Sequence, residues 1–265
     1  MLKNLVKYDF KWVFKNLIIF IGLGLILSII GRLLDLIDNS LMFKVITGIC
    51  KGASLSLLVS AVINALIRTW VRTISNIYGD AGYLTNTLPV KRISHYDSKI
   101  ITLSITLVVS IIATFIGLLI MYYNENTIDA IKNMFSILES SVNGSVTLLI
   151  VLGVILIILQ FMFIGICGLN GIVYGYAYND KKLSKSLVLG VGSYFCFNIV
   201  TVLVFLFLGI FDDGIKNMFF NANEKVEYTS MIILLIAGAL LYCVYITVLY
   251  VLSKKKLDKG INIDW

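Results

Sequence analysis

Six long runs of apolar residues constrain the fold of this chain more than any other feature. Each extends over roughly 20 residues, the length at which an α-helix crosses the hydrocarbon core of a bilayer. Continuous runs rich in isoleucine, leucine and valine favour helices over the shorter alternating segments of an outer-membrane barrel. We therefore predict an all-α integral membrane protein with six transmembrane helices. The predicted spans lie near residues 17–34, 45–67, 100–122, 146–168, 187–211 and 231–252.

The composition of the 265-residue chain agrees with this prediction. Hydrophobic residues make up 59% and charged residues 14%, against about 45–50% and 25% in soluble domains. The mean hydropathy is +0.94. A soluble globular protein is excluded, since too few polar side chains remain to cover its surface.

Basic residues are unequally distributed between the predicted links. The segments before span one, between spans two and three, between spans four and five, and after span six carry 16 of the 22 lysines and arginines. The positive-inside rule places these segments, and both termini, in the cytosol. Topology and contact with anionic membrane lipids then explain the net charge of +7, so no nucleic-acid partner is expected. Abundant lysine, asparagine and isoleucine indicate a multi-pass protein of the bacterial cytoplasmic membrane.

The first 16 residues have the pattern of an amphipathic helix. Lysine recurs at every fourth position from Lys3 to Lys15, opposite an apolar face. Such a helix lies flat among the lipid headgroups. We therefore predict an interfacial helix over residues 1–16, followed by a six-span domain over residues 17–265. A topology anchor and a specific docking surface are both open interpretations of this helix.

Residue patterns of enzymes and metal sites are absent from the sequence. The single histidine, His95, excludes two-histidine zinc motifs, and there is no phosphate-binding G-x-x-x-x-G-K-[ST] loop. The four cysteines are far apart and form no C-x-x-C pair. We expect no catalytic residue, no metal and no cofactor on this chain, and we interpret His95 as a solvated or headgroup-facing side chain.

Neutral polar residues, rather than charged ones, lie near the middle of the predicted spans. Ion-coupled carriers and channels usually place an ionisable group there. The simplest interpretation is helix-to-helix hydrogen bonding, worth about 1 kcal/mol for each residue. The alternative is a weakly polar translocation path for an amphipathic passenger. Candidates for this path are Asn64, Gln160, Asn198 and Thr201.

Two further patterns concern links and helix contacts. The pentapeptide IKNMF occurs at residues 131–135 and again at 215–219, in two predicted external links. We interpret both copies as amphipathic segments on the outer leaflet whose identity is chance, with a gating cap as the alternative. Small residues favour close helix approach near the end of span four, at Gly165, Gly168, Gly171 and Gly175.

The link between spans two and three is the most distinctive segment of the chain. Residues 78–90 have the sequence YGDAGYLTNTLPV, with the only proline of the protein. Asp80 is expected to cap a short helix that Pro89 ends. A rigid, mostly uncharged helix that projects into the cytosol suits insertion into a groove of a partner protein.

This link resembles the coupling-helix region of the permease subunits of type-2 ATP-binding-cassette exporters. Bacterial members often have the pattern acidic-x-G-Y-L-T-x-T-L-P-V at this place, and the layout of six spans with cytosolic ends is similar. The resemblance implies docking on a separate ATPase subunit, which binds ATP and Mg²⁺, and pairing with a second permease chain, identical or homologous. The ATPase contact that it implies consists of Asp80, Gly82, Tyr83, Leu84, Thr85, Asn86, Leu88 and Pro89.

From these features we expect the permease subunit of an ATP-driven exporter, with no enzymatic activity of its own. A path without fixed charge suits hydrophobic or amphipathic cargo. A membrane-active peptide, exported as a toxin or bacteriocin or expelled for immunity, is the first expectation, and a lipid or drug the second. The alternatives are a self-sufficient carrier or channel and a non-transporting membrane scaffold or sensor.

Overall fold

The computed structural model describes residues 1–37, 40–79, 82, 90–142, 144–220 and 227–259. The regular elements of this described part are helices. A π-helical segment over Ile74–Tyr78 continues the second helix. In chain order the α-helices are α1 (Leu2–Ile37), α2 (Leu41–Thr73), α3 (Arg92–Tyr122), α4 (Glu125–Val142), α5 (Val146–Gly175), α6 (Lys182–Phe211), α7 (Asp213–Phe220) and α8 (Tyr228–Asp258).

Six helices are long and apolar enough to cross a membrane. They are α1, α2 with its π-helical continuation, α3, α5, α6 and α8. Each contains one of the six predicted spans, which confirms the all-α class and the number of candidate spans. The cytosolic placement of the two termini stays a prediction.

The amino-terminal residues continue the first spanning helix. α1 runs for 36 residues from Leu2 to Ile37, with no glycine or proline near residue 16 to interrupt it. Asp9, Val13 and Leu17 recur at helical spacing and are all buried. A separate interfacial helix over residues 1–16 is therefore not confirmed, because the same buried stripe passes through both segments.

The chain divides into two compact units, Met1–Thr127 and Ile128–Trp265. In unit 1, α1, α2 and α3 pack against one another. The Ser28 and Ser54 hydroxyl oxygens are 2.7 Å apart, and Ser54 also donates to the Gly24 carbonyl at 2.7 Å. Hydroxyls in the middle of these spans thus form the helix-to-helix hydrogen bonds expected of neutral polar residues in lipid.

In unit 2, α5 packs against α6 and α8. A β-carbon added at Gly171 would lie 2.5 Å from the Ser186 carbonyl oxygen and 2.7 Å from the Gly190 Cα, and one added at Gly175 would also collide with Ser186. The absence of side chains at Gly171 and Gly175 therefore brings the α5 and α6 backbones into contact, which confirms the predicted close approach at these two glycines.

A short helix, α7, follows α6 directly. The Asp212 carboxylate accepts hydrogen bonds from the Ile215 N–H and the Ser230 hydroxyl, both at 2.8 Å. These bonds hold the pKa of Asp212 below its ordinary value. Ile215 is fully buried, whereas Ile131, the equivalent residue of the other IKNMF copy, is 48% exposed. The two copies thus have different environments, as expected if their identity is chance.

Candidate functional site

A buried ion centre joins the three helices of unit 1. Asp9 on α1 is 3% exposed and Lys99 on α3 is 1% exposed. The Asp9 Oδ1 atom accepts hydrogen bonds from the Lys99 Nζ at 2.5 Å and from the Nε of Arg72, on α2, at 3.0 Å. Buried charges require such partners, because withdrawing each one from water costs several kcal/mol. We call Asp9, Arg72 and Lys99 the ion centre.

Two neutral side chains complete the hydrogen bonding of the Asp9 carboxylate. The Ser98 hydroxyl donates to Oδ2 at 2.7 Å, and the Asn76 amide donates to Oδ1 at 3.3 Å. Donors from α2 and α3 therefore reach both carboxylate oxygens. This arrangement fixes the Asp9 side chain between the two helices.

The pattern of α1 contains a signal for this buried carboxylate. Asp9 is the only acidic residue before Asp35. It also lies four residues before Val13 and eight before Leu17, so all three share one helix face. An acidic residue in line with apolar residues, on an otherwise cationic segment, indicates a buried partner. The positive-inside interpretation attributes Arg72 and Lys99 to membrane topology and does not predict this pairing.

His95 is buried, and its prediction as a solvated or headgroup-facing side chain is wrong. It is 6% exposed, since the first turns of α3 pack against the other helices of unit 1. It shares a face of α3 with Ser98, Lys99 and Thr102, at spacings of three, four and seven residues. In the described structure His95 Nε2 and Thr102 Oγ1 are buried without a hydrogen-bond partner. Such atoms are uncommon in folded proteins.

A polar ladder between α1 and α2 extends from the ion centre. It consists of Trp12 and Asn16 on α1 and of Arg68 and Arg72 on α2. The Trp12 ring lies beneath two guanidinium groups, with its centroid 5.3 Å from the Arg72 Cζ and 5.8 Å from the Arg68 Cζ. With its amide oriented so that the oxygen faces Arg68, Asn16 accepts hydrogen bonds from Arg68 Nε at 3.1 Å and from both terminal nitrogens. Because α1 and α2 are antiparallel neighbours, successive turns of one meet successive turns of the other.

The ion centre ties together the two ends of the distinctive link. Arg72 and Asn76 lie near the end of the second spanning helix, and Ser98 and Lys99 lie near the start of α3. All four contact Asp9. A force applied to either end of the link is therefore resisted by the same carboxylate on α1.

The chain enters this link through an unusual helix end. The Gly79 N–H donates to the Ile74 carbonyl at 2.8 Å, which closes the π-helical segment Ile74–Tyr78. Single π-helical turns are frequent at functional sites. The Gly82 N–H then donates to the Gly79 carbonyl at 2.7 Å, and a β-carbon at Gly82 would lie 2.7 Å from the Ile77 carbonyl oxygen. The chain therefore requires glycine at position 82.

Of the predicted ATPase-contact residues, the structure describes Gly82. The contact itself stays a prediction. The other residues of this prediction lie outside the described part of the chain: Asp80, Tyr83, Leu84, Thr85, Asn86, Leu88 and Pro89.

In two of the four path candidates, the side-chain amide donates a hydrogen bond to a backbone carbonyl of its own helix. Asn64, in unit 1, donates to the Ser60 carbonyl at 2.9 Å. Asn198, in unit 2, donates to the Tyr194 carbonyl at 2.8 Å. Both side chains are half-buried. These hydrogen bonds account for the two residues without a translocation path.

The other two path candidates belong to unit 2. Gln160 is half-buried on α5. The Thr201 hydroxyl on α6 lies 3.1 Å from the Tyr245 Oη on α8, beside an aromatic cluster centred on Phe163. The structure thus brings Thr201 to a polar partner on another helix. Neither unit holds all four candidates, and a shared path stays a prediction.

Among the described residues, no group of three or more histidine, cysteine, aspartate or glutamate side chains could hold a metal ion. Comparison with protein-family models, with curated proteins and with solved structures finds no match.

Proposed function

We propose that this chain is the membrane-spanning permease subunit of an ATP-driven exporter, and that a separate ATPase subunit docks on the link between the second and third spans. The observation that carries the proposal is the attachment of both ends of this link to Asp9. A docking segment transmits movement only if it is rigidly joined to the spans. Because a buried ion pair is costly to break, the link ends and α1 move together.

The distribution of charge in unit 1 supports a hydrophobic or amphipathic cargo. The described ion pairs of this unit lie towards the two ends of its helices, where the ion centre forms one group and Lys51 with Asp35, at 2.6 Å, forms the other. Between them, Ser28 and Ser54 bond to each other and to the Gly24 backbone carbonyl. An interior of this kind offers no fixed charge to select a small ion. We propose a membrane-active peptide as the cargo.

The partner ATPase is the first element of the proposal to test. The tagged chain is extracted from its native membrane in a gentle detergent, and the proteins that accompany it are identified by mass spectrometry. We expect a soluble subunit with a phosphate-binding loop at a roughly stoichiometric level. Recovery of the chain without such a subunit, from a membrane in which it is correctly inserted, would contradict the proposal.

Substitution of the link should uncouple ATP hydrolysis from transport. Leu84→Asp introduces a charge into the predicted docking surface, so we expect the reconstituted complex to lose most of its transport per ATP hydrolysed while the variant still inserts. Leu183→Asp is the matched control, because Leu183 is an exposed leucine at the start of α6, in the other predicted cytosolic link. Equal coupling ratios in the two variants would show that the link does not transmit ATPase movement.

The ion centre also supports a second candidate, a self-sufficient proton-coupled carrier. Buried ionisable groups within helix bundles often form proton relays, and Asp9 with Lys99 is such a pair. Proteoliposomes that contain this chain alone separate the candidates. Cargo movement driven by an imposed pH gradient, without any ATPase, would favour the carrier. Movement only with the ATPase and ATP would favour the exporter.

A further inference from the structure

Beside the ion centre, Arg68 carries a charge that no carboxylate of the described structure neutralises. The contacts of its half-buried guanidinium group are the Trp12 ring and the amide oxygen of Asn16. One turn away, Arg72 already shares Asp9 with another cation, Lys99. The ladder between α1 and α2 therefore has a net positive charge, and Arg68 is the cation with neutral partners alone.

The position of Arg68 makes this charge costly. It follows directly on the predicted apolar span over residues 45–67, at the edge of the hydrocarbon. A guanidinium group at membrane depth requires a partner, and an amide oxygen and an aromatic face offset its charge only in part. Phosphate is a partner of suitable geometry, because two of its oxygens accept parallel hydrogen bonds from one guanidinium group.

The apolar surroundings of Arg68 favour a lipid as the source of this phosphate. Ile19 lies three residues after Asn16, so it shares a helix face with it and lies further into the predicted span. It is exposed on the outside of unit 1. In a membrane such a side chain contacts acyl chains. Lys15 on α1 is also exposed and adds positive charge at the headgroup end. A phospholipid supplies both a phosphate for Arg68 and acyl chains for the apolar surface, whereas free phosphate supplies only the first.

We infer that Arg68, Trp12 and Asn16 form a binding site for the headgroup phosphate of an anionic phospholipid in the groove between α1 and α2. The net positive charge of the ladder selects a lipid of net negative charge over a zwitterionic one, since both carry a phosphate. Basic pockets between membrane helices bind acidic headgroups on the same principle. This site does not depend on the proposed function, because it needs no ATPase and no cargo.

Native mass spectrometry of the purified chain tests the site. The detergent-solubilised protein is titrated with phosphatidylglycerol or with phosphatidylcholine of the same acyl chains. We expect preferential retention of phosphatidylglycerol, and a roughly tenfold weaker preference in Arg68→Gln, the effect of one charge-assisted contact. Lys132→Gln is the control, because Lys132 is an exposed lysine on α4, and it should retain the wild-type preference. Equal retention of the two lipids by the wild type would overturn the inference.

Further measurements identify the ligand and show whether the variants fold. Millimolar inorganic phosphate should not displace phosphatidylglycerol, and displacement would replace the lipid site with a site for free anions. Phosphatidylglycerol should also raise the melting temperature of the wild type more than that of Arg68→Gln. If Arg68→Gln does not fold, Arg68→Lys decides. It keeps the charge but loses the paired hydrogen bonds, so it should bind phosphatidylglycerol more weakly than the wild type while still preferring it to phosphatidylcholine. A wild-type lipid preference in folded Arg68→Gln, or a wild-type affinity for phosphatidylglycerol in folded Arg68→Lys, would remove Arg68 from the site.

Discussion

Asp9→Asn should destabilise the detergent-solubilised protein by about 3–5 kcal/mol, the usual cost of removing one partner from a buried ion pair. The substitution keeps the size of the side chain and removes its charge. Lys99, which is 1% exposed, and Arg72 would then remain inside unit 1 without a counter-charge. Thermal unfolding followed by intrinsic fluorescence measures the effect as a large fall in melting temperature.

Two further variants show whether charge is the cause. The double substitution Asp9→Leu with Lys99→Met replaces the buried pair by apolar side chains of similar volume, so it should recover much of the lost stability. Asp180→Asn should change stability little, because Asp180 pairs with Lys185 on an exposed surface. A melting temperature of Asp9→Asn equal to that of the wild type would show that the ion centre does not form.

Gly171→Val should cause a large loss of stability within unit 2. A β-carbon at this position would lie 2.5 Å from the Ser186 carbonyl oxygen and 2.6 Å from the Gly190 nitrogen. Both are backbone atoms of α6, so a local change of rotamer cannot relieve the collision and the two helices must separate. Overpacking of this kind costs typically 1–3 kcal/mol and occasionally more. Thermal unfolding in detergent measures the loss.

Gly153→Val provides the matched control for this prediction. Gly153 lies on the same helix, and no heavy atom of another part of the structure lies within 4 Å of a β-carbon built there. The same increase in side-chain volume should therefore leave the melting temperature almost unchanged. Equal effects at the two glycines would show that α5 and α6 do not approach closely at Gly171, and that the loss comes from valine in the helix rather than from a collision.

Local patterns were sufficient to predict the helices but not their partners. Each predicted span lies inside an observed helix. The length and apolar character of a run decide whether it can cross a bilayer, and a run that crosses alone must be helical. The ion centre depends instead on residues 63 and 90 positions apart in the chain, Asp9 with Arg72 and with Lys99. Periodicity within one helix does not identify the partner on another.

Among the predictions for single residues, the close approach at two glycines is confirmed and the exposure of His95 is wrong. Glycines spaced along one helix predict close approach, because the missing side chains alone permit it, and Gly171 and Gly175 confirm that prediction. His95 lies in a segment that resembles a solvated link in sequence, yet it is buried. Its burial depends on where α3 begins and on which helices surround it, and neither is a property of the residues beside it.

The sequence by itself determined the membrane class, the number of candidate spans and their approximate limits, because hydrophobicity over one helix length is a local property. Only the tertiary structure decided that α1 is continuous through residue 16, that Asp9 meets cations of α2 and α3, and that Arg68 meets neutral partners. Those contacts arise when three helix faces meet. The free energy of a charge inside a bundle depends on the atoms around it, and a linear pattern does not contain them.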